Sequence, residues 1–182
     1  MEKRILGNSG LELTTVGLGT WAMGGDDWAF GWGPQDDASS QQSVHEAIDA
    51  GINWIDTAPV YGLGRSEEVV GEAVRDRRSE LIVATKCGRV WDETRTIGKR
   101  LNKESVKQEV EESLRRLGIE QIDLYQMHWP EPDDQIEEGW STIVELIKEG
   151  KVRFGGVSNF SLEQLKRVHA IHPVTSLQPP YS

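Results

Sequence analysis

From residue 15 onward, short apolar runs alternate with amphipathic stretches of helical length, and this rhythm constrains the fold more than any other feature. Thr15-Val16-Gly17-Leu18-Gly19 reads as a buried strand, and Asn53–Asp56, Leu81–Thr85, Ile122–Met127, Val152–Val157 and Val174–Leu177 repeat the pattern. The unbroken run Leu81–Thr85 suits a strand buried on both faces. Between these runs, Val44, Ala47 and Ile48 share one helix face that stops at Gly51. Ser66 is expected to cap a second helix, with Glu67 and Glu68 in its first turn, where the helix dipole favours acids. Val106, Val110, Leu114 and Leu117 stripe a third helix ending at Gly118, and Ile136, Trp140, Ile143, Val144 and Ile147 stripe a fourth closed by Gly150. Ser161 and Gln164 form a capping box for a fifth. Ahead of the repeat, Gly7-Asn8-Ser9-Gly10 between Leu6 and Leu11 reads as the turn of a hairpin.

Strands alternating with helices imply βαβ units and a parallel sheet. A doubly wound sheet would show a glycine-rich fingerprint opening a helix after an early strand, and Gly17-Leu18-Gly19-Thr20-Trp21 lacks the third glycine and the helix behind it. The expected class is α/β, a (β/α)₈ TIM barrel of which six strands and five helices are present behind an N-terminal hairpin. Complete barrels run to ~250 residues. Residues 1–182 therefore read as a single domain that is C-terminally incomplete.

The net charge of −10 argues against a general nucleic-acid or anionic-membrane binder, since both require a basic surface. The single cysteine, Cys87, has no internal disulfide partner and is expected to be inert packing in a reducing compartment. Met1-Glu2-Lys3-Arg4 leads into a turn with no apolar signal segment, and no apolar run approaches the ~20 residues of a membrane span. A cytoplasmic location is the expectation, and no metal centre is expected.

The polar residues that interrupt the apolar pattern sit at strand ends. Asp56 ends the second run, with Tyr61 five residues later in a turn bounded by Gly62 and Gly64. Lys86 ends the third, His128 the fourth, Ser158 and Asn159 the fifth, and Gln178 the sixth. In a parallel barrel these ends open on one face, where such folds hold their active sites. Singly, Asp56 could cap a loop, His128 could be a hydrogen-bonded core histidine, and Ser158-Asn159 could be loop chemistry before the Ser161 cap. Together they predict one polar pocket.

At these residues the chain resembles the aldo-keto reductase family. The resemblance rests on Gly51-Ile52-Asn53-Trp54-Ile55-Asp56-Thr57-Ala58-Pro59-Val60-Tyr61-Gly62, Ala84-Thr85-Lys86, Asp123-Leu124-Tyr125-Gln126-Met127-His128 and Gly156-Val157-Ser158-Asn159-Phe160. It runs from Gly17 to Gln178, and Tyr61-Gly62-Leu63-Gly64-Arg65-Ser66-Glu67 is similar to the bacterial branch. The resemblance implies reduction of an aldehyde or ketone by hydride from NADPH, with NADH as the alternative. It implies Tyr61 as proton donor, Lys86 as the cation that makes that proton easier to lose, Asp56 as the partner fixing Lys86, and His128 as the group orienting the carbonyl. Ser158, Asn159 and Gln178 match the residues holding the nicotinamide carboxamide, and Thr20 and Trp21 match those lining the nicotinamide ribose and substrate pocket. Trp28, Phe30 and Trp32, in the long first loop from Gly24 to Asp37, would wall that pocket or pack the loop onto the barrel mouth. Tyr181 lies too soon after Gln178 to match the family's nicotinamide-stacking tyrosine.

Two strands of the family's barrel are missing from the sequence. The first and sixth strands are then open edges that invite self-association or pairing with the missing half, and the segment alone is expected to be weakly active or inactive. A non-catalytic nucleotide-binding or scaffold subunit is one alternative function. A Schiff-base aldolase acting through Lys86 is another.

Overall fold

The structure, a computed structural model, describes residues 1–180. β1 (Lys3–Ile5) and β2 (Glu12–Thr14) form the antiparallel hairpin expected at the N-terminus. There follow β3 (Leu18–Gly19), α1 (Asp37–Asp49), β4 (Trp54–Asp56), α2 (Arg65–Val74) and β5 (Ile82–Cys87). A second hairpin comes next, β6 (Arg89–Trp91) with β7 (Ile97–Lys99). The chain continues with α3 (Lys103–Leu117), β8 (Ile122–Met127), α4 (Ile136–Lys148), β9 (Val152–Ser158), α5 (Leu162–His169) and β10 (Ser176–Gln178).

Six strands pair in the order β10-β9-β8-β5-β4-β3, every pair parallel. The sheet curls into half of a (β/α)₈ barrel. The register aligns its upper ends: Gly19 is level with Asp56, Lys86 with Gln126, Met127 with Val157, and Ser158 with Gln178. Outside the sheet, Val44, Ile48, Val70 and Val74 of α1 and α2 pack with Ile55 and Val83, while Val106, Val110, Trp140 and Ile143 of α3 and α4 pack with Ile122 and Val152. Those of α1, α3 and α4 are the helix stripes expected from the apolar periodicity, and Val70 and Val74 add an α2 stripe that was not expected.

At the lower end, the buried Asp123 carboxylate accepts a hydrogen bond from the Val83 amide (3.0 Å) and pairs with Arg78 and Arg153, each at 2.6 Å. It thereby ties β5, β8 and β9 together.

Some local expectations change. β3 is shorter than Thr15–Gly19, because the chain bends at Thr15-Val16, where the Thr14 hydroxyl donates to the Val16 carbonyl (2.7 Å). The sixth strand begins at Ser176 rather than Val174 and includes Gln178. Ser66 does not cap α2: Gly64 is the N-cap, at φ +105°, and Ser66 is buried in the first turn. The α5 capping box forms as expected. The β6–β7 hairpin has no counterpart in the strand–helix rhythm. No helix among the described residues is long and apolar enough to cross a membrane.

Candidate active site

Successive side chains of a strand point to opposite faces, and on β5 this alternation separates two buried ionic groups. Thr85 points outward and donates to Glu67 of α2 (2.6 Å), which is fully buried and paired with Arg116 of α3 at 2.7 Å. Lys86 points inward. Its ammonium reaches both Asp56 carboxylate oxygens (2.9 and 2.8 Å), the Thr57 carbonyl (2.9 Å) and the Tyr61 hydroxyl (3.3 Å), and only 2% of the residue is exposed. A lysine this buried keeps its charge only with such a partner. Gln126, level with Lys86 on β8, brings its side-chain amide to 3.5 Å from Asp56 Oδ1.

Tyr61 sits in the turn leading to α2, and its place is fixed by backbone contact. Gly62 adopts φ +65°, and a Cβ there would lie 2.2 Å from the Gly24 carbonyl oxygen, so the two glycines let the turn press against the first loop. The phenol ring stacks on Trp21 (centroids 5.6 Å apart) and meets His128 edge-on (5.8 Å). Burial raises the Tyr61 pKa above the ordinary phenol value, and the Lys86 charge offsets only part of that rise. The expectation that Lys86 makes the phenol more acidic thus describes one contribution. Burial outweighs it. Burial, reinforced by Lys86 and Arg89, pushes His128 down to about 3, so its imidazole is neutral at physiological pH.

Across the cavity, the Ser158 hydroxyl donates to the Gln178 carbonyl (3.1 Å), and the Asn159 amide donates to the His128 carbonyl and the Ser158 hydroxyl, both at 3.0 Å. Gln178 Oε1 is buried without a hydrogen-bond partner among the described residues.

Asp56, Tyr61, Lys86, His128, Ser158, Asn159, Gln178 and Trp21 all line one cavity of about 560 Å³. Thr20 does not. It is fully buried behind Asp56, with its hydroxyl donating to the Asp56 carbonyl (3.3 Å) and accepting from Ser66 (2.8 Å). Its place is behind the wall rather than on it. Of the first-loop aromatics, Trp28 and Phe30 line the cavity, while Trp32 is 80% exposed and stacks on Trp21. Burial pushes the Cys87 thiol well above its usual value, as expected of inert packing. Tyr181 lies outside the described residues.

Sequence reasoning missed Arg89, Ile97 and Lys99 of the second hairpin and Trp129 after β8, all of which line the cavity. The alternation of Arg89-Val90-Trp91 and Ile97-Gly98-Lys99 about a polar Asp92–Arg95 turn was the available signal.

Fold and site together define a parallel α/β-barrel protein with a tyrosine–lysine–aspartate–histidine group at its strand ends. The chain belongs to the aldo/keto reductase family, whose family model matches residues 15–182. Over the whole chain it is 43% identical to the aldo-keto reductase YhdN of Bacillus subtilis (strain 168), and it is 37% identical to the NADH-specific methylglyoxal reductase of Escherichia coli (strain K12). It covers 54% and 59% of those proteins, so the chain spans about half the length of the curated relatives it matches. Among solved structures, the glycerol dehydrogenase AKR11B4 from Gluconobacter oxydans superposes with a TM-score of 0.86 at 42% identity, over 98% of this chain and 54% of that one. The holo form of aldo-keto reductase AKR11C1 from Bacillus halodurans superposes with a TM-score of 0.88 at 33% identity, over all of this chain and 58% of that one. These likenesses place the chain in the bacterial branch of the family.

Proposed function

We propose that the protein reduces aldehydes or ketones to alcohols with a nicotinamide cofactor, Tyr61 acting as proton donor. The carrying observation is that Asp56 with Tyr61, Lys86 and His128, from three separate stretches of sequence, meet in one aromatic-lined cavity. The cofactor, when bound, supplies the hydride. Gln178 Oε1, buried and unpartnered, suits the amide N–H of a nicotinamide carboxamide, and Ser158 and Asn159 beside it complete a polar row. NADPH is the first expectation from the family resemblance. The NADH-specific Escherichia coli relative makes NADH part of the same test.

As the substrate carbonyl gains charge, Tyr61 gives its hydroxyl proton to the carbonyl oxygen. The Lys86 ammonium, 3.3 Å away, stabilises the phenolate that remains. Asp56 and the Thr57 carbonyl hold that ammonium in place. His128, being neutral, has one ring N–H with which to hold the same carbonyl oxygen. The aromatic rings of Trp21, Trp28 and Phe30 give the substrate an apolar wall beside the reacting atoms. An ammonium engaged by Asp56 has no lone pair for imine formation, which disfavours the aldolase alternative.

The test is cofactor oxidation with an aromatic aldehyde, followed by absorbance on the natural full-length polypeptide. Tyr61→Phe is expected to lower kcat about 10²–10⁴-fold, the usual contribution of a general acid. An unchanged rate would remove Tyr61 from the chemistry.

A further inference from the structure

The cavity mouth carries a charge arrangement that proton transfer does not use. Arg89 of β6 pairs with Glu131 at 2.7 Å, and Lys99 of β7 pairs with the same carboxylate oxygen at 2.9 Å. Two cations share one carboxylate. Deeper in the cavity Lys86 and Asp56 neutralise each other, and His128 is uncharged. The cavity wall and its ion-pair partners therefore hold one positive charge in excess, on a chain whose net charge is −10.

Arg89 is also preorganised. Its side chain is only 14% exposed, and its guanidinium lies over the Trp129 ring, 5.6 Å from the centroid. Glu131 takes up only its Nη2, so Nε and Nη1 have no hydrogen-bond partner among the described residues. A planar, fixed guanidinium with free N–H groups suits a carboxylate or phosphate, and holding it in advance avoids the ordering cost of binding. The hairpin itself is held at both ends. Glu109 accepts from the Gly88 amide at its base (2.8 Å), and Arg95 at its tip pairs with Asp27 of the first loop at 3.0 Å.

We propose that Arg89, assisted by Lys99, is an anion-recognition edge of the substrate pocket. The preferred substrates are carbonyl compounds that carry a carboxylate or phosphate beyond a short uncharged stem. This deepens the reductase reading and rests on it. Glu131 holds the two cations in place without neutralising both.

The experiment compares kcat/KM within matched pairs on the full-length protein: 4-carboxybenzaldehyde against 4-(hydroxymethyl)benzaldehyde, and glyceraldehyde 3-phosphate against glyceraldehyde. The two pairs separate carboxylate from phosphate recognition. At low salt the charged member of at least one pair is expected to be favoured about tenfold, chiefly through KM. High salt should shrink that ratio. Arg89→Gln should bring it close to one, and Lys99→Gln should lower it less. Because each ratio is taken within one variant, general damage to the hairpin cancels. If Arg89 only fastens the hairpin through Glu131, the variant slows both members equally and the ratio stays, which overturns the proposal. Turnover of the neutral aldehydes with no preference for charge overturns it while leaving the reductase reading intact. No turnover of any member overturns both.

Discussion

His128 illustrates how one side chain's surroundings decide its chemistry. In the unfolded chain a histidine takes a proton near pH 6.5, and here it resists one down to about 3. Between those values the unfolded state binds the extra proton, so stability falls as pH drops from 6.5 toward 3 and is unaffected by this group above 6.5. His128→Gln removes the proton site. Its urea midpoint, relative to the unmodified protein, is expected to be higher at pH 5 than at pH 7.5, and an equal difference at both values would contradict the assignment. Gly62 is the other informative single residue. Any side chain there meets the Gly24 backbone, so Gly62→Ala is expected to displace Tyr61 and lower kcat with Lys86 and Asp56 untouched. The strand-end residues were legible in the sequence because each interrupts an apolar run. Thr20 lies one residue past β3, and its burial behind Asp56 left no mark in the sequence, where it is simply the next residue after an apolar run.

The elements divide into those that carry chemistry and those that aim it. Periodicity made the helices and the sheet legible, since burying one face leaves a repeat of 3.6 or 2 in the sequence. The β6–β7 hairpin left a weaker trace, two three-residue alternations about a polar turn, because its residues are partly buried or exposed and its place is set by single polar contacts. Glu109 of α3 is one of them. Burial raises its carboxyl to about 7, against the Gly88 amide and Ser105 hydroxyl that favour the charged form. Its folded pKa exceeds the unfolded value of 4.5, so the folded state binds the extra proton between these limits, and stability falls as pH rises through 7. Glu109→Gln keeps an acceptor for Gly88 without the buried charge. It is expected to stabilise the protein at pH 8, by on the order of 3 kcal/mol, and to change little at pH 4.5. Thermal unfolding at the two pH values checks this, and a pH-independent effect would show that ionisation of Glu109 is not the cause.

At the scale of the whole molecule, β3 and β10 each pair on one side only, and Leu177 on β10 is 40% exposed. Residues 1–182 expressed alone are expected to associate through these edges, as parallel strands with unmet backbone groups do. Light scattering should register oligomers that a charge at Leu177→Lys reduces; a monodisperse monomer would show that the edges are quiet. The strand–helix alternation made the barrel visible in the sequence, but how the edges are covered depends on contacts that no local pattern records. The ionic groups on β5 and β8 bear on how such a protein changes over time. Asp123 secures the lower ends of those strands, while Lys86, Gln126 and His128 occupy the upper ends. Among the described residues the hairpin and first loop make no contact with the Asp123 cluster, so a change at the rim of the cavity leaves the footing of its floor as it was.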